Sequence, residues 1–368
     1  MVSKKRLSEI ALLQRGLTYN KGDEVPSSSK IVLRSNNIDL DSHSLDLSEL
    51  KYLREDFVIP EDRKVKKDSI FICMSNGSKQ HVGKVAFIDR DMDYAFGGFM
   101  GLIIPKPSIS AKYVFYACNS SSYRTFLSQI GNGIGITNLR FSELEKFEIP
   151  VPSIEEQQRI VDELDLLTGI IAKKNAQLRD LDALAQSIFY EMFGDPNANS
   201  LNWPSSSFKD IFKLKSGDGL KEKDFVTGQF PVYGGNGISG YHNAFNKEGK
   251  HIIIGRVGAY CGNVRVVEDC FWLTDNAFDA FFDSSVLDYY FASWLLNTLD
   301  LHRFANHAAQ PVISNSGLKD LLIILPPIEI QRHFSERVLA ILQQKSSISN
   351  SIIDVERLLS ERMDAYFS

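Results

Sequence analysis

The chain repeats itself. Pro152-Ser153-Ile154-Glu155-Glu156-Gln157-Gln158-Arg159 returns as Pro326-Pro327-Ile328-Glu329-Ile330-Gln331-Arg332-His333, 174 residues on. The same shift, without a gap, pairs Tyr116 with Tyr290, Ser142 with Ser316, Leu144 with Leu318, Asp180 with Asp354, Leu184 with Leu358 and Phe193 with Phe367. Solenoid units run about 20–50 residues, so this is a duplicated half-protein. The 368 residues are enough for about two to three domains. They divide into a variable globular part over 1–152, a long helix over 153–193, a second globular part over 194–325 and a second long helix over 326–368.

The helices are read from their period. Ser153 with Glu156 three residues later fits a capping box. Apolar side chains then follow at Ile160, Leu164, Leu167, Ile171, Leu178, Leu181, Ala185, Ile188 and Met192, with Lys174 interrupting. Steps of four and three give a 3.5-residue period, the seam of a coiled coil rather than the wider stripe of a helix on a globular core. The second copy runs Phe334, Val338, Ile341, Ile348, Ile352, Val355, Leu359 and Tyr366, interrupted at Lys345 and Arg362. Each helix extends roughly 60 Å at about 1.5 Å per residue, and Gly194-Asp195-Pro196 ends the first. A lone seam exposes apolar surface, and each seam is the other's natural partner. If the second helix returns toward the first globular part, the pair is antiparallel, a rod with a domain at each end and an approximate two-fold axis.

Both globular parts read as mixed α/β. Strands are expected over 69–74, 84–89, 101–104, 251–254 and 263–267, separated by Gly/Asn-rich turns. Helices are expected over 111–120 and 286–299, and apolar-proline steps over 147–152 and 321–326. Gly235-Asn236-Gly237-Ile238-Ser239-Gly240 matches GxGxxG letter for letter. A dinucleotide site needs a helix after it, and here a strand near His251 follows too soon. The better reading is a tight exposed loop. Polar residues on such loops suit base reading: Asn76, Lys79, Gln80, His81 and Lys84 in the first part, and Asn236, Tyr241, His242, Asn243, Arg256, Tyr260 and Asn263 in the second. Arg pairs with guanine edges and Asn or Gln with adenine edges. The alternative, that they are solvated turn residues, stays open for each.

The net charge is −5, which argues against nucleic acid until its distribution is considered. The first globular part carries +3 and the second −3, while the two helical segments carry −4 and −1. A basic cluster lies at Arg63, Lys64, Lys66 and Lys67. This is too weak for strong phosphate-driven binding by the chain alone, so a more basic partner is expected to share the grip on DNA.

No GxxxxGK[ST] phosphate loop, no Asn-Pro-Pro-Tyr or Asp-Pro-Pro-Tyr strip, no HExxH and no paired-Cys metal site occurs. His302 and His307 lack a helical partner carboxylate, and no metal site is expected. No apolar run reaches the ~18–20 residues of a membrane span, and the basic start lacks a signal peptide's apolar core. Cys73, Cys118, Cys261 and Cys270 form no CxxC pair, so reduced thiols in a cytoplasmic protein are expected. A duplication without chemistry in either half points to a non-catalytic chain that reads something with two-fold character.

The sequence resembles the specificity subunit of Type I restriction–modification systems. The resemblance rests on segments 147–159 and 321–332 leading into the long helices, on the shared heptads, and on the second variable part, from Phe230-Pro-Val-Tyr-Gly-Gly-Asn-Gly-Ile-Ser-Gly-Tyr-His-Asn through His251-Ile-Ile-Ile-Gly-Arg-Val-Gly to Trp272-Leu-Thr-Asp-Asn-Ala. It covers nearly the whole chain, the first variable part matching less well. It implies two mixed α/β (α+β) target recognition domains joined by two long antiparallel coiled-coil helices with pseudo-two-fold symmetry. Each domain would read one half of a split double-stranded DNA site, and the helices would fix the half-site spacing. Two methylation subunits would dock, bringing S-adenosylmethionine and flipping the target adenine. A restriction/translocation subunit would add ATP- and Mg-dependent cleavage, and no cofactor would bind this chain itself. The competing expectation is a duplicated coiled-coil interaction scaffold that never reads DNA.

Overall fold

A computed structural model describes residues 2–40, 42–78, 80–130, 137–306 and 310–368. The chain divides into two compact units, Met1–Lys174 with Asn350–Ser368, and Asn175–Ser349. The glycine-rich segment 131–135, Lys79 and His307 lie outside the described residues.

Each unit stacks three layers. The central layer is an antiparallel four-stranded sheet. Its strand order in the first unit is Ala11–Arg15, Met100–Pro105, Ser69–Cys73 and Val85–Ile88. In the second unit it is Lys213–Ser216, Ala277–Phe281, His251–Gly255 and Val264–Val267. Alternate side chains of a strand face opposite sides. Ile70 and Ile72 therefore enter a core shared with helix Ala111–Ala117, while Phe71 and Cys73 enter a second core with Leu33, Phe96 and Leu102. A strand buried on both faces reads as a continuous apolar run, which is why Ser-Ile-Phe-Ile-Cys and His-Ile-Ile-Ile-Gly stood out. The third layer is a smaller sheet with one parallel pair, Lys30–Leu33 with Tyr94–Phe96 in the first unit and Phe230–Gly234 with Cys270–Leu273 in the second.

A two-stranded ribbon ties the start of each globular part to its end: Lys4–Arg6 pairs with Glu148–Pro150, and Ser205–Ser207 with Leu322–Ile324. The long helices follow, Ile154–Phe193 and Ile328–Phe367, of 40 residues each. Each contributes one half to each unit. Within the first unit Glu163 accepts a hydrogen bond from Tyr366 at 2.7 Å and pairs with Arg362 at 3.0 Å, while Arg159, one turn earlier, lies 5.8 Å from the Tyr366 ring centroid. Within the second, Lys345 pairs with Asp182, and the Phe334 ring lies 5.5 Å from Phe189 and 5.4 Å from Phe193. Partners ascend one helix as they descend the other, so the segments are antiparallel in both units.

Ile160, Leu164, Leu167, Phe334, Val338, Ile341 and Ile352 are buried, and Ile171, Leu178, Leu181, Ile188, Ile348, Val355 and Leu359 half-buried. The narrow-seam expectation needs correction at the helix ends. Val161 is buried beside Ile160, and the fully buried rings are Phe189, Phe193 and Phe367 rather than Ile188, Met192 and Tyr366. There the helices also cover a globular core, and the apolar stripe widens to the three positions per turn pair that such a surface needs. The capping box is also half right. Ser153 Oγ accepts from Glu156 N at 3.3 Å, but the Glu156 carboxylate turns to Arg159 at 2.7 Å.

Two buried glutamines were missed. Gln157 Oε1 accepts from Ser110 N at 2.9 Å, and its Nε2 donates to Pro152 O at 3.0 Å. Gln331 Oε1 accepts from Asp288 N at 2.9 Å, and its Nε2 donates to Pro326 O at 2.7 Å and Val286 O at 3.0 Å. In both repeats one amide clasps the first turn of the long helix to the start of the short helix behind the sheet.

Candidate nucleic-acid interface

The strands of each central sheet end in loops held by the same backbone bonds in both units. Met74 N donates to Phe99 O at 2.9 Å, as Arg256 N does to Asn276 O at 2.9 Å. Leu139 N donates to Met74 O at 2.7 Å, and Ile313 N to Arg256 O at 2.9 Å. Gly97 N donates to Leu33 O, and Thr274 N to Tyr233 O, both at 2.9 Å. Gly16 and Gly217 are required by this frame: a Cβ there would lie 2.0 Å from Gly97 O and 2.2 Å from Leu273 O. The frame is constant, and the side chains on it are not. Arg34, Met74, Gly97 and Phe99 stand where the second unit has Gly234, Arg256, Thr274 and Asn276.

In the first unit the loops surround a cleft of about 770 Å³ lined by Tyr19, Lys21, Arg34, Lys51, Asn76 and Phe99 among others. Glu24 is the carboxylate in that lining, lying 3.8 Å from Arg34 and 3.6 Å from Lys51. Burial raises the Tyr19 phenol above its ordinary value, with Arg34 opposing, so it stays a neutral hydrogen-bonding group. Phe99 is 73% exposed at the rim. A basic, aromatic-edged concavity can meet phosphates and stack on or wedge against bases.

Asn76 belongs to this cleft. Its Nδ2 donates to Ser35 Oγ at 2.7 Å, and its Oδ1 accepts from Ser78 N at 2.8 Å, fixing the amide. Gln80 is exposed, and His81 and Lys84 are half-buried on the same loop. The 63–67 cluster is dispersed. Arg63 donates to Arg15 O near the cleft end, and Lys64 is neutralised by Asp93 at 2.7 Å and Glu61 at 2.9 Å. Lys66 and Lys67 are exposed at the Ser69 end of the strand Ser69–Cys73, away from the loop that follows Cys73. Five residues of strand separate them from that loop, roughly 15 Å.

In the second unit Gly235 and Asn236 form the turn of a hairpin, Phe230–Gly234 with Gly237–His242, so the GxGxxG letters carry no helix. Asn236 is exposed at the tip, where its carbonyl accepts from Arg265 Nη2 at 3.3 Å. Gly255 packs under both the turn and the next loop, its missing Cβ 2.4 Å from Gly235 O and 2.9 Å from Tyr260 O. That gathers Asn236, Arg256, Tyr260 and Asn263. Tyr241 and Asn243 are exposed at the far end of the hairpin, opposite Pro231 and beyond. His242 needs correction as a surface group. It is buried, its Nδ1 accepts from Val226 N at 3.0 Å, and its ring lies edge-on to Trp272 at 5.5 Å.

Sequence reading missed Tyr19, Arg34, Lys51 and Phe99 in the first unit and Ser216, Arg265 and Asp275 in the second. Only the exposed aromatic in Gly97-Gly98-Phe99 offered a local signal. Among the described residues no group of three His, Cys, Asp or Glu side chains could hold a metal ion, and no helix is long and apolar enough to cross a membrane. The cysteines are free, and burial pushes the Cys73 thiol up to about 11.

Residues 2–180 and 201–357 each match the family model of the Type I restriction modification DNA specificity domain. The StySPI specificity subunit of Salmonella potsdam is 24% identical over 393 residues, covering 94% of this chain and 83% of that protein. The EcoKI specificity subunit of Escherichia coli K12 is 27% identical over 191 residues, covering 51% of this chain and 40% of that one. Among solved structures, the S subunit of a Type I restriction–modification system from M. genitalium has a TM-score of 0.63 at 18% identity, covering 100% of this chain and 96% of that chain. Two matched copies, spanning most of the sequence and each lying largely within one structural unit, place this chain in the family of Type I restriction–modification DNA specificity subunits.

Proposed function

We propose that this chain is the non-catalytic sequence reader of a Type I restriction–modification complex. Each loop frame meets one half of a bipartite site in the major groove, and the two long helices set the half-site spacing. Two methylation subunits dock on this chain, hold S-adenosylmethionine and act on a flipped adenine. A restriction/translocation subunit using ATP and Mg completes the complex in the cytoplasm. The reading divides the chain into target recognition domains over 1–152 and 194–325 and long helices over 153–193 and 326–368.

One observation carries this reading: a loop frame whose main backbone bonds recur in both units, with unlike side chains at equivalent tips. Recognition of two different half-sites by related modules calls for that combination. Of the loop candidates, Asn76, Gln80, His81, Lys84, Asn236, Arg256, Tyr260 and Asn263 lie on the loops that follow the central strands or on the hairpin tip beside them. The net charge of −5 assigns part of the phosphate grip to the methylation subunits. It also favours a second reading, an interaction scaffold without DNA readout. Footprinting of the chain with its methylation subunit separates the two. Two protected patches on one duplex, dependent on base sequence and weakening as salt rises, are expected. Protection independent of sequence, or none, would leave the scaffold.

A further inference from the structure

Resting on that reading, we propose that Arg256 reads a guanine edge in the half-site bound by the second unit, at a position where the first unit makes no hydrogen-bonded base contact. Arg256 follows directly on the strand His251–Gly255, in the place that Met74 takes after Ser69–Cys73. Met74 is buried, and its thioether has no hydrogen-bond donor and is only a weak acceptor. Arg256 is half-buried and held in one orientation. Its guanidinium lies 5.3 Å from the Phe278 ring centroid, and Nη1 donates to Ser216 Oγ at 3.2 Å. Nη1 also reaches Asp275 O at 3.5 Å, its Nε is buried without a partner, and no salt bridge to Arg256 is found among the described residues. A guanidinium that is braced yet keeps its charge and its Nη2 donors unpaired is prepared for an acceptor from outside.

Two arguments favour a base over a phosphate. Phosphate contacts carry no sequence information and serve both halves of a site alike, so a phosphate ligand should recur on the shared frame. Here the equivalent side chain is apolar. The guanidinium is also fixed by a ring and a hydroxyl, which suits the planar geometry of a guanine O6/N7 edge, whereas a free lysine suffices for a phosphate.

The test uses the full chain with its methylation subunits in cells, reading methylated motifs by sequencing genomic DNA. With Arg256→Ala, one guanine of the second half-site should lose discrimination roughly tenfold or more, while the first half-site stays strict. Arg256→Gln should also relax that position and serves if the alanine variant misfolds; retention of the first half-site reports a folded chain. Uniform weakening at every site without relaxed sequence would assign Arg256 to a phosphate and overturn the proposal, as would an unchanged motif. If the unaltered chain directs no sequence-specific methylation, the reading of the chain as a DNA reader fails instead.

Discussion

The two units share a frame and differ in what fills it. At the centre of the central sheet, register places Leu102 opposite Phe71 and Asp279 opposite Ile253. Both are buried. Leu102 joins an apolar cluster, whereas Asp279 accepts from Lys247 Nζ at 2.8 Å and lies 3.0 Å from His251 Nδ1. The same contrast recurs around the tyrosine pair. Tyr116 donates to Asp165 on the long helix at 2.7 Å, while Tyr290 donates to Glu268 in the turn after the strand Val264–Val267 at 2.7 Å. A lysine joins each carboxylate, Lys112 and Lys250. Main-chain pairing and apolar volume hold the fold, and the polar filling is free to diverge so long as each buried group finds a partner.

The largest expected effects come from breaking what only one unit has. Asp279→Ala leaves Lys247 partly buried without its counter-ion and should destabilise the second unit by about 3–5 kcal/mol, lowering one of two thermal transitions. Leu102→Ala should lower the other by about 2–5 kcal/mol through lost packing. A single transition that falls for both would contradict separable units. The equivalents Phe193 and Phe367 offer a crossed version. Phe193 ends the first helix but belongs to the second unit's core, and Phe367 ends the second helix but belongs to the first unit's core. Alanine at each should cost about 3–5 kcal/mol in the unit whose core holds the ring, as differential calorimetry would register.

The glutamine clasps give an intermediate effect. Gln331 makes three bonds and Gln157 two, so Gln331→Leu should cost more than Gln157→Leu, each in the range of about 1–3 kcal/mol for stranded partners. Equal costs would mean that the extra bond to Val286 O contributes nothing. The smallest effect is electrostatic. Hydrogen bonds from Lys250, then Tyr290, hold the Glu268 carboxyl below its ordinary value of 4.5. Because the folded value is the lower one, its contribution is complete above pH 4.5 and is lost as pH falls through that lower value. Glu268 is half exposed, so acid titration of Glu268→Gln against the parent should differ by only about 0.5 kcal/mol, and no Asp165 variant should alter that segment of the second unit's curve.

Long-period features were legible in the sequence. Both long helices, the buried central strands and the duplication announce themselves through apolar spacing within one segment. The smaller sheets did not, because strands as short as Glu24–Val25 exist through pairing with distant residues, and Ser205–Ser207 has no apolar signal at all. Helix Ser121–Ile130 was missed behind its polar opening, Ser-Ser-Tyr-Arg-Thr. The candidate interface was legible in part. Asn76 and Asn236 sit in Gly/Asn-rich turns and Arg256 stands out as a charge directly after an apolar strand, but Ser216 meets Arg256 across 40 residues of chain, a proximity that no local pattern encodes. His242 misled because a polar letter in a strand gave no hint that its ring would be buried.

The central claim, that two equivalent frames read two half-sites independently, is tested most directly by exchanging residues 1–150 for the first domain of another family member and sequencing the methylated sites. One half of the recognised sequence should change while the other half and the spacing persist. Change in both halves, or in neither, would contradict it.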